Sequence, residues 1–401
     1  MRRYQLSNGL TLIYEKKPAK SVSVAILVKA GSNYENKDVY GISHFIEHML
    51  FEGTMKRKNS RDISNEIEKL GGEMNAYTTT DRTVFFVKIL GKHFDAALDV
   101  LSDIMQNSVF DAKTIEKERK VILKEIDMVN DQPRFLQWIF FNKNLFSRHP
   151  AKNPAYGSIQ TVGKISRKDI LSYYNKYYVP NNLIISVVGN VRSLKLKIEE
   201  SFKNFKYKKA PKYKKTFEFA NKRKISVLRK KLINSYMVFG YKTFPRLSKE
   251  SYTLDLILGI LGRGQSGWIF DEIRNKRGLA YEVGVNHEAS VDYGHFAIYL
   301  NTDKKNINQI KSIILEEFKK LKKINAKEIN EAKTFIEGQF LMENEDNFQL
   351  ADKLAFWELI KDAKLLNDYI KNIKRITNED IAGAVDRFLN DKYTLAIIQQ
   401  K

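Results

Sequence analysis

The sequence predicts an α+β protein made of two copies of one unit, and three observations lead to this prediction. A chain of 401 residues is longer than one hydrophobic core usually serves, so two domains are expected. Short apolar runs typical of strands alternate with longer patterns of helical periodicity. A segment at 165–170 (ISRKDI) also recurs at 376–381 (ITNEDI), an offset of 211 residues. Such self-similarity indicates an internal repeat.

The first copy contains the clearest elements. Residues 10–14, 22–29, 83–90 and 183–189 are apolar runs that predict strands, with 183–189 closing the copy. Helices are predicted over 41–50, 94–105 and 113–129.

The second copy follows from the same offset. Ser166 and Thr377 are each a predicted helix cap, and each helix leads to a closing strand, 183–189 in one copy and 393–398 in the other. The strand at 23–29 maps onto 234–240. We therefore expect two mostly antiparallel sheets packed with helices.

A basic stretch marks the boundary between the copies. Residues 203–224 contain ten Lys or Arg against one Glu, with Pro211 among them, as expected of an exposed connection. We predict a first domain over 1–206, a linker over 207–222 and a second domain over 223–401.

Composition excludes several classes of protein. There is no cysteine, so disulfides and thiolate metal sites are excluded. Charges interrupt every apolar run, so we expect no transmembrane helix and no membrane partner. Residues 1–4 lead almost at once into a strand, which leaves no room for a targeting peptide and predicts a cytoplasmic location.

The formal net charge of +22 permits a different function. A basic field attracts nucleic acid, so a basic nucleic-acid-binding protein is one alternative. Lysines are, however, spread along the whole chain and no nucleic-acid-binding module is recognisable. We expect no nucleic-acid partner.

The predicted helix over 41–50 carries the most informative motif. His44 and His48 lie four residues apart, on one helical face about one turn apart, so both imidazoles can reach one zinc ion. Glu47 lies at the edge of that face, where it can take a proton from water and pass it to a leaving amine. Only six histidines occur in the chain, so this pairing with a glutamate is unlikely to arise by chance.

A catalytic zinc site needs a third protein ligand, and Glu125 is the candidate. Catalytic zinc keeps three protein ligands and an open position. Glu125 lies in the predicted helix over 113–129, and Glu118 lies seven residues earlier, two turns along the same face. Glu118 can hydrogen-bond to one of the zinc-binding side chains and so orient it. Taken alone, either glutamate would more often be a solvated helix charge.

In the repeat, the offset maps His44, Glu47 and His48 onto Asp255, Leu258 and Gly259. The second copy lacks the ionisable trio. We expect the first copy to be catalytic and the second to be structural or to hold substrate.

The segments 30–35 (AGSNYE) and 41–54 (GISHFIEHMLFEGT) resemble the amino-terminal signature of the pitrilysin/insulinase family of inverted-zincin metallopeptidases. The resemblance covers the entire chain and is strongest to short bacterial members similar to the mitochondrial processing peptidase. It implies two homologous α+β domains forming half of a clamshell chamber. It also implies that His44, His48 and Glu125 hold about one Zn²⁺ per chain, that Glu47 is the base and that Glu118 supports the ligands.

The resemblance extends to substrate-binding residues. The segment 71–78 (GGEMNAYT) resembles the family's edge strand, where Asn75 and Ala76 would hold a peptide by strand addition; the alternative is a plain glycine turn and strand. The segment 274–281 (RNKRGLAY) resembles an Arg and Tyr pair, so Arg274 and Tyr281 would contact substrate and the developing oxyanion.

Because family members of this length resemble half of a closed chamber, a homodimer is expected. Arg274 and Tyr281 would then act on the partner's zinc site. The predicted function is a zinc endopeptidase that cleaves peptides or unfolded polypeptide segments inside the chamber. A non-catalytic family member that acts as a scaffold or binding subunit is the second alternative, although none of the predicted ligands is missing.

Overall fold

The computed structural model describes residues 1–400 and has the predicted α+β architecture with two β-sheets. The elements of the first half of the chain are β1 (Arg2–Gln5), β2 (Thr11–Lys16), β3 (Ser21–Val28), α1 (Ile42–Leu50), α2 (Ser60–Glu68), β4 (Glu73–Thr78), β5 (Thr83–Leu90), α3 (Phe94–Asn107), α4 (Ala112–Asp131), α5 (Pro133–Leu145), α6 (Ile159–Val162), α7 (Arg167–Tyr177), β6 (Leu183–Gly189) and α8 (Leu194–Ser201).

The second half repeats this pattern. Its elements are β7 (Lys224–Lys230), β8 (Ser235–Thr243), α9 (Lys249–Leu261), α10 (Trp268–Phe270), β9 (Ala280–Ala289), β10 (Gly294–Thr302), α11 (Ile307–Leu321), α12 (Ala326–Glu343), α13 (Asn347–Ile360), α14 (Tyr369–Lys374), α15 (Asn378–Phe388) and β11 (Thr394–Gln400). None of the helices within residues 1–400 is both long and apolar enough to cross a bilayer.

The two sheets have matching topology. The first has the strand order β1-β2-β6-β3-β5-β4 and the second the order β7-β11-β8-β10-β9. Every pairing is antiparallel except those of β2 with β6 and of β7 with β11. The prediction of two mostly antiparallel copies is therefore confirmed.

The repeated segments begin helices in both copies, as predicted. Ser166 and Thr377 are the N-caps of α7 and α15, and each forms a reciprocal capping box with an aspartate three residues later, Asp169 and Asp380. The two helices lead to β6 and β11, which are central strands of their sheets.

Two compact units form, and each takes a helix from the other half of the chain. The first unit comprises Met1–Met128, Pro154–Lys214 and Met342–Leu366. The second comprises Val129–Asn153, Lys215–Leu341 and Asn367–Lys401. The predicted domains, 1–206 and 223–401, did not include this exchange of helices. The boundary between the units after Lys214 lies within the predicted linker, 207–222.

Each exchanged helix covers one face of a sheet. In the first unit, α13 packs on β3 and β6, and Phe348 stacks on Phe86 with ring centroids 3.7 Å apart. In the second unit, α5 packs on β8 and β11 and buries Phe141 and Leu145. Strands covered on both faces read as continuous apolar runs, which is how β3 and β6 appear in the sequence.

The predicted linker contains no helix or strand, but its one glutamate is anchored. Glu218 accepts hydrogen bonds from the backbone N–H groups of Ser147, Arg148 and His149 at 2.8–3.2 Å and from Lys242 Nζ at 2.8 Å. These contacts lie within the second unit. The end of the linker is thus fixed to that unit.

Candidate metal centre

Helix α1 is amphipathic, and this directs its ionisable residues out of the core. Ile42, Phe45, Ile46, Met49 and Leu50 are buried in the core of the first unit. His44, Glu47 and His48 occupy the other side of the helix and are partly exposed. The spacing in the sequence therefore produces the predicted cluster on one helical face.

The start of α1 is held by a residue that the sequence analysis did not single out. Glu35 accepts hydrogen bonds from the N–H groups of Gly41 and Ser43, each 2.8 Å long, in place of a capping side chain on α1 itself. Gly41 has φ +97°, and a Cβ there would meet the Tyr156 carbonyl oxygen at 2.6 Å. Only glycine suits this position.

Helix α4 supplies the two predicted glutamates. Its buried face contains Ile115, Ile122 and Ile126. Glu118 is buried with it, whereas Glu125 is partly exposed. His48 Nδ1 donates to Glu118 Oε2 at 3.3 Å, and Glu118 Oε1 lies 3.3 Å from Lys117 Nζ.

The structure brings His44, His48 and Glu125 together in a geometry that suits a metal ion. One ligand atom from each lies within 4.8 Å of the other two. Glu125 Oε2 lies 3.7 Å from His44 Nε2 and 3.6 Å from His48 Nε2. Ligand atoms on a tetrahedral zinc at about 2.1 Å are about 3.4 Å apart, so only small movements are needed. Two imidazoles and one carboxylate also leave a fourth position open.

The protonation states of the three ligands are set by burial and by one another. Burial lowers the pKa of His44 to about 4, so this imidazole is neutral at pH 7. Burial also disfavours charge on His48, but its hydrogen bond to Glu118 and its interaction with the nearby Glu125 carboxylate raise its pKa to about 9. The interaction with His48 in turn lowers the pKa of Glu125. A cation at this centre therefore competes with a proton on His48.

Glu47 has the environment of a base. Burial raises its pKa, and the Thr78 hydroxyl opposes this shift by donating to Glu47 Oε2. A raised pKa brings a carboxylate closer to the pH at which it exchanges protons efficiently. Thr78 ends β4, so the candidate base is hydrogen-bonded to the predicted substrate strand.

The predicted substrate strand is a free edge. Among residues 1–400, strand β4 pairs with β5 on one side and has no partner strand on the other. Thr79 N–H donates to the Arg82 carbonyl at 2.8 Å, so alternation places the N–H and C=O of Ala76 at the open edge. The N–H of Ala76 donates to Oδ1 of the neighbouring Asn75 at 2.8 Å. A peptide added to this edge would displace the Asn75 side chain.

Arg274 and Tyr281 lie together in the second unit. Arg274 is in a π-helical turn, Asp271–Asn275, and its guanidinium carbon lies 4.6 Å from the centre of the Tyr281 ring. Tyr281 is on the edge strand β9 and its side chain is exposed. The structure thus pairs the two residues as the sequence segment suggested. Their action on a zinc site stays a prediction.

Three residues near the centre were missed by sequence reasoning. Glu35 and Thr78 lie in the segments 30–35 and 71–78, but the sequence did not predict their hydrogen bonds. These contacts depend on how the loops fold. Tyr156 lies before α6, its buried hydroxyl has no hydrogen-bond partner within residues 1–400, and burial together with the Glu125 charge raises its pKa to about 12. Its position beside Glu125 could not be read from spacing.

The corresponding place in the second unit holds a different cluster. Asp255, which the repeat aligns with His44, accepts hydrogen bonds from His287 Nδ1 at 2.7 Å and Tyr369 OH at 2.9 Å, and pairs with Arg246 at 2.5 Å. Burial opposes ionisation of Asp255, but Arg246 and His287 hold its pKa well below the usual range. A salt-bridged network replaces the metal cluster there.

Comparisons with known proteins agree with this division. Residues 11–158 match the model for insulinase (peptidase family M16), and residues 164–336 match the model for the peptidase M16 inactive domain. A Rickettsia felis protein called an uncharacterized zinc protease is 32% identical over 98% of this chain and 96% of its own. The Bacillus subtilis uncharacterized zinc protease YmxG is 29% identical over 99% of this chain and 98% of its own.

Solved structures share the fold. A protease from Helicobacter pylori superposes with a TM-score of 0.92 over 99% of both chains at 23% identity. The fold and the centre define a two-unit α+β protein with a His, His and carboxylate site in its first unit. The chain belongs to the insulinase family of peptidases, family M16.

Proposed function

We propose that this protein is a zinc-dependent endopeptidase that hydrolyses peptides or unfolded polypeptide segments. The observation that carries the proposal is the convergence of His44, His48 and Glu125 beside the partly buried Glu47. The names of the zinc protease relatives support zinc as the metal. His and carboxylate ligands with an open position suit catalytic zinc.

Each residue of the centre has a chemical task in this proposal. A bound zinc ion supplies Lewis-acid activation of water and of the scissile carbonyl. His44, His48 and Glu125 would hold the ion, and Glu118 fixes the orientation of the His48 ring through Nδ1. Glu47 takes a proton from the attacking water and transfers it to the leaving amine, while Thr78 orients its carboxylate.

Substrate binding relies on both units. The backbone of Ala76 at the open edge of β4 binds an extended peptide by strand addition, which favours unfolded segments over folded proteins. Tyr281 donates a hydrogen bond from its hydroxyl to the developing oxyanion, and Arg274 adds positive charge. We propose that the chain works as a cytoplasmic homodimer in which this pair serves the partner's centre.

The test is metal dependence of cleavage. Purified protein is incubated with an internally quenched fluorescent peptide, then with a chelator, then with added Zn²⁺. We expect cleavage to stop with the chelator and to return with zinc. Cleavage that continues in chelator-treated protein shown to contain no metal would contradict the proposal.

A further inference from the structure

The two sheets differ at one edge. In the first unit, β2 pairs in parallel with β6, and its other side is covered by the antiparallel strand β1. In the second unit, β7 pairs in parallel with β11 in the same way. Within residues 1–400 no strand covers the other side of β7, so the position that β1 fills in the first sheet is open in the second.

The open edge offers backbone groups for pairing. Lys224 N–H donates to the Tyr393 carbonyl at 2.9 Å, so Lys224 directs its backbone toward β11. Backbone groups alternate along a strand, which leaves the N–H and C=O of Ile225, Val227 and Arg229 at the open edge. This edge has no proline and no bulge in its pairing with β11.

The side chains at this edge are apolar and basic. Ile225 is 48% exposed and Val227 is 47% exposed, and Ile233 in the following turn is 94% exposed. Residues 222–231 contain six Lys or Arg and no carboxylate. A strand bound here would therefore find apolar contacts at alternate positions and a positive field around them.

The positive charge of the open edge of β7 determines which kind of strand can pair with it. Two copies of β7 paired antiparallel about Val227 would place Lys224 opposite Lys230, and like charges directly opposite are destabilising. In the first unit, the covering strand is basic and its Arg3 pairs with Glu358 at 2.8 Å. In the second unit the exposed edge itself is basic, so the complementary strand is acidic.

We propose that the open edge of β7 is a docking site for an extended acidic segment of a partner protein, which adds antiparallel to β7 as a sixth strand. The segment carries apolar side chains at alternate positions, facing Ile225 and Val227, with Asp or Glu between or beside them. The bound segment occupies in the second sheet the place that β1 occupies in the first. This site is separate from the metal centre.

The experiment measures binding of a fluorescein-labelled peptide of alternating valine and glutamate to the full chain carrying Glu47→Gln, which prevents cleavage. Fluorescence anisotropy gives the Kd, and a valine and lysine peptide is the charge control. Val227→Pro removes an N–H from the open edge without removing a β11 hydrogen bond, whereas Val227→Thr keeps that N–H. Ala76→Pro makes the corresponding change at β4.

We expect the acidic peptide to bind and Val227→Pro to weaken binding at least about tenfold, with Val227→Thr and Ala76→Pro close to the parent. Arg229→Glu is expected to weaken binding and to reduce its dependence on salt, which keeps the test valid if Val227→Pro misfolds. The proposal is overturned if the acidic peptide does not bind, if the basic peptide binds equally well, or if Ala76→Pro alone abolishes binding.

Discussion

Glu118 shows how a buried carboxylate can set the orientation and charge of a candidate metal ligand, His48. It is buried, and the hydrogen bond from His48 lowers its pKa, so it remains a carboxylate that holds the His48 ring in one orientation. Such partners of metal ligands commonly contribute about 10- to 100-fold to affinity or activity.

We predict that Glu118→Gln weakens zinc binding by about this factor of 10 to 100. Zinc affinity is measured by competition with a chromogenic chelator. Glu116→Gln, on the exposed side of the same helix, is the matched control, because Glu116 pairs only with Arg119 in the interactions described. Equal zinc affinity in the two variants would remove Glu118 from the centre.

Glu35 makes the stability of the first unit depend on pH. Burial raises its pKa to about 7 from the ordinary 4.5, against the effect of hydrogen bonds from Gly41 and Ser43. The folded state therefore holds this proton more tightly than the unfolded chain. Its contribution to stability is fully present below pH 4.5 and is lost as the pH rises through 7.

We predict that the wild type loses about 1–3 kcal/mol relative to Glu35→Gln as the pH rises from 4.5 to 7.5, since glutamine does not titrate. Denaturant unfolding of both proteins at several pH values gives this difference. Glutamine has one carboxylate oxygen fewer to accept a hydrogen bond, which changes the free energy of unfolding by the same amount at every pH. This change therefore does not affect the pH dependence of the difference. A difference that does not change with pH would show that Glu35 titrates normally.

At the scale of elements, the edge strand β4 links the predicted substrate edge to the candidate base, Glu47. Thr78 donates a hydrogen bond to Glu47 of α1, and Tyr77 of the same strand donates one to Asp352 of α13. The strand is therefore hydrogen-bonded to both helices. Ala76, the residue before Tyr77, has its backbone N–H and C=O at the open edge. Strand addition there would place a peptide alongside the centre.

We predict that Ala76→Pro raises KM for a peptide substrate about three- to tenfold, because one backbone hydrogen bond to substrate is lost. Zinc content and melting temperature should stay at their wild-type values, since the missing N–H does not face β5. Ala76→Ser, which keeps the N–H, is the control. An unchanged KM in the proline variant would indicate that substrate does not use this edge.

The helices and strands also show how much of the fold could be predicted from the sequence. The runs at 83–90 and 183–189 match β5 and β6 residue for residue, because segments rich in β-branched and aromatic residues favour strands. The exchange of α5 and α13 was not predicted. Periodicity shows that a helix has an apolar side, whereas only the folded chain shows which sheet that side covers.

The candidate centre was predictable to a similar degree. Local spacing placed His44 and His48 on one face of α1. The need for a third zinc ligand pointed to Glu125, and the resemblance implied the same residue. The contacts of Glu35 and Tyr156 depend on loops that bring distant residues together, and spacing carries no information on these.

At the scale of the whole molecule, the proposed homodimer would decide which Arg and Tyr pair serves which candidate metal centre. In the proposed homodimer, Arg274 of one chain completes the centre of the other. Glu47→Gln and Arg274→Ala variants should each be inactive alone. A mixed dimer would then contain one intact site, formed from the metal centre of one variant and the Arg274 of the other.

We predict that equal amounts of the two variants, exchanged under mild denaturation and refolded together, recover about a quarter of wild-type activity. Half of the dimers are mixed and each has one competent site of two. Refolding each variant alone is the control. No recovery, with mixed dimers demonstrated by differential tags, would mean that Arg274 acts within its own chain, whereas activity of Arg274→Ala alone would mean that Arg274 is not needed.

The central claim is that Glu47 acts as the base beside a zinc ion held by its neighbours. The most direct measurement combines zinc content with cleavage of a quenched fluorescent peptide, on the wild type and on Glu47→Gln. We predict about one zinc per chain in both proteins and cleavage in the wild type alone, because glutamine cannot accept the proton. Full cleavage by the variant, or no zinc in the wild type, would contradict this account.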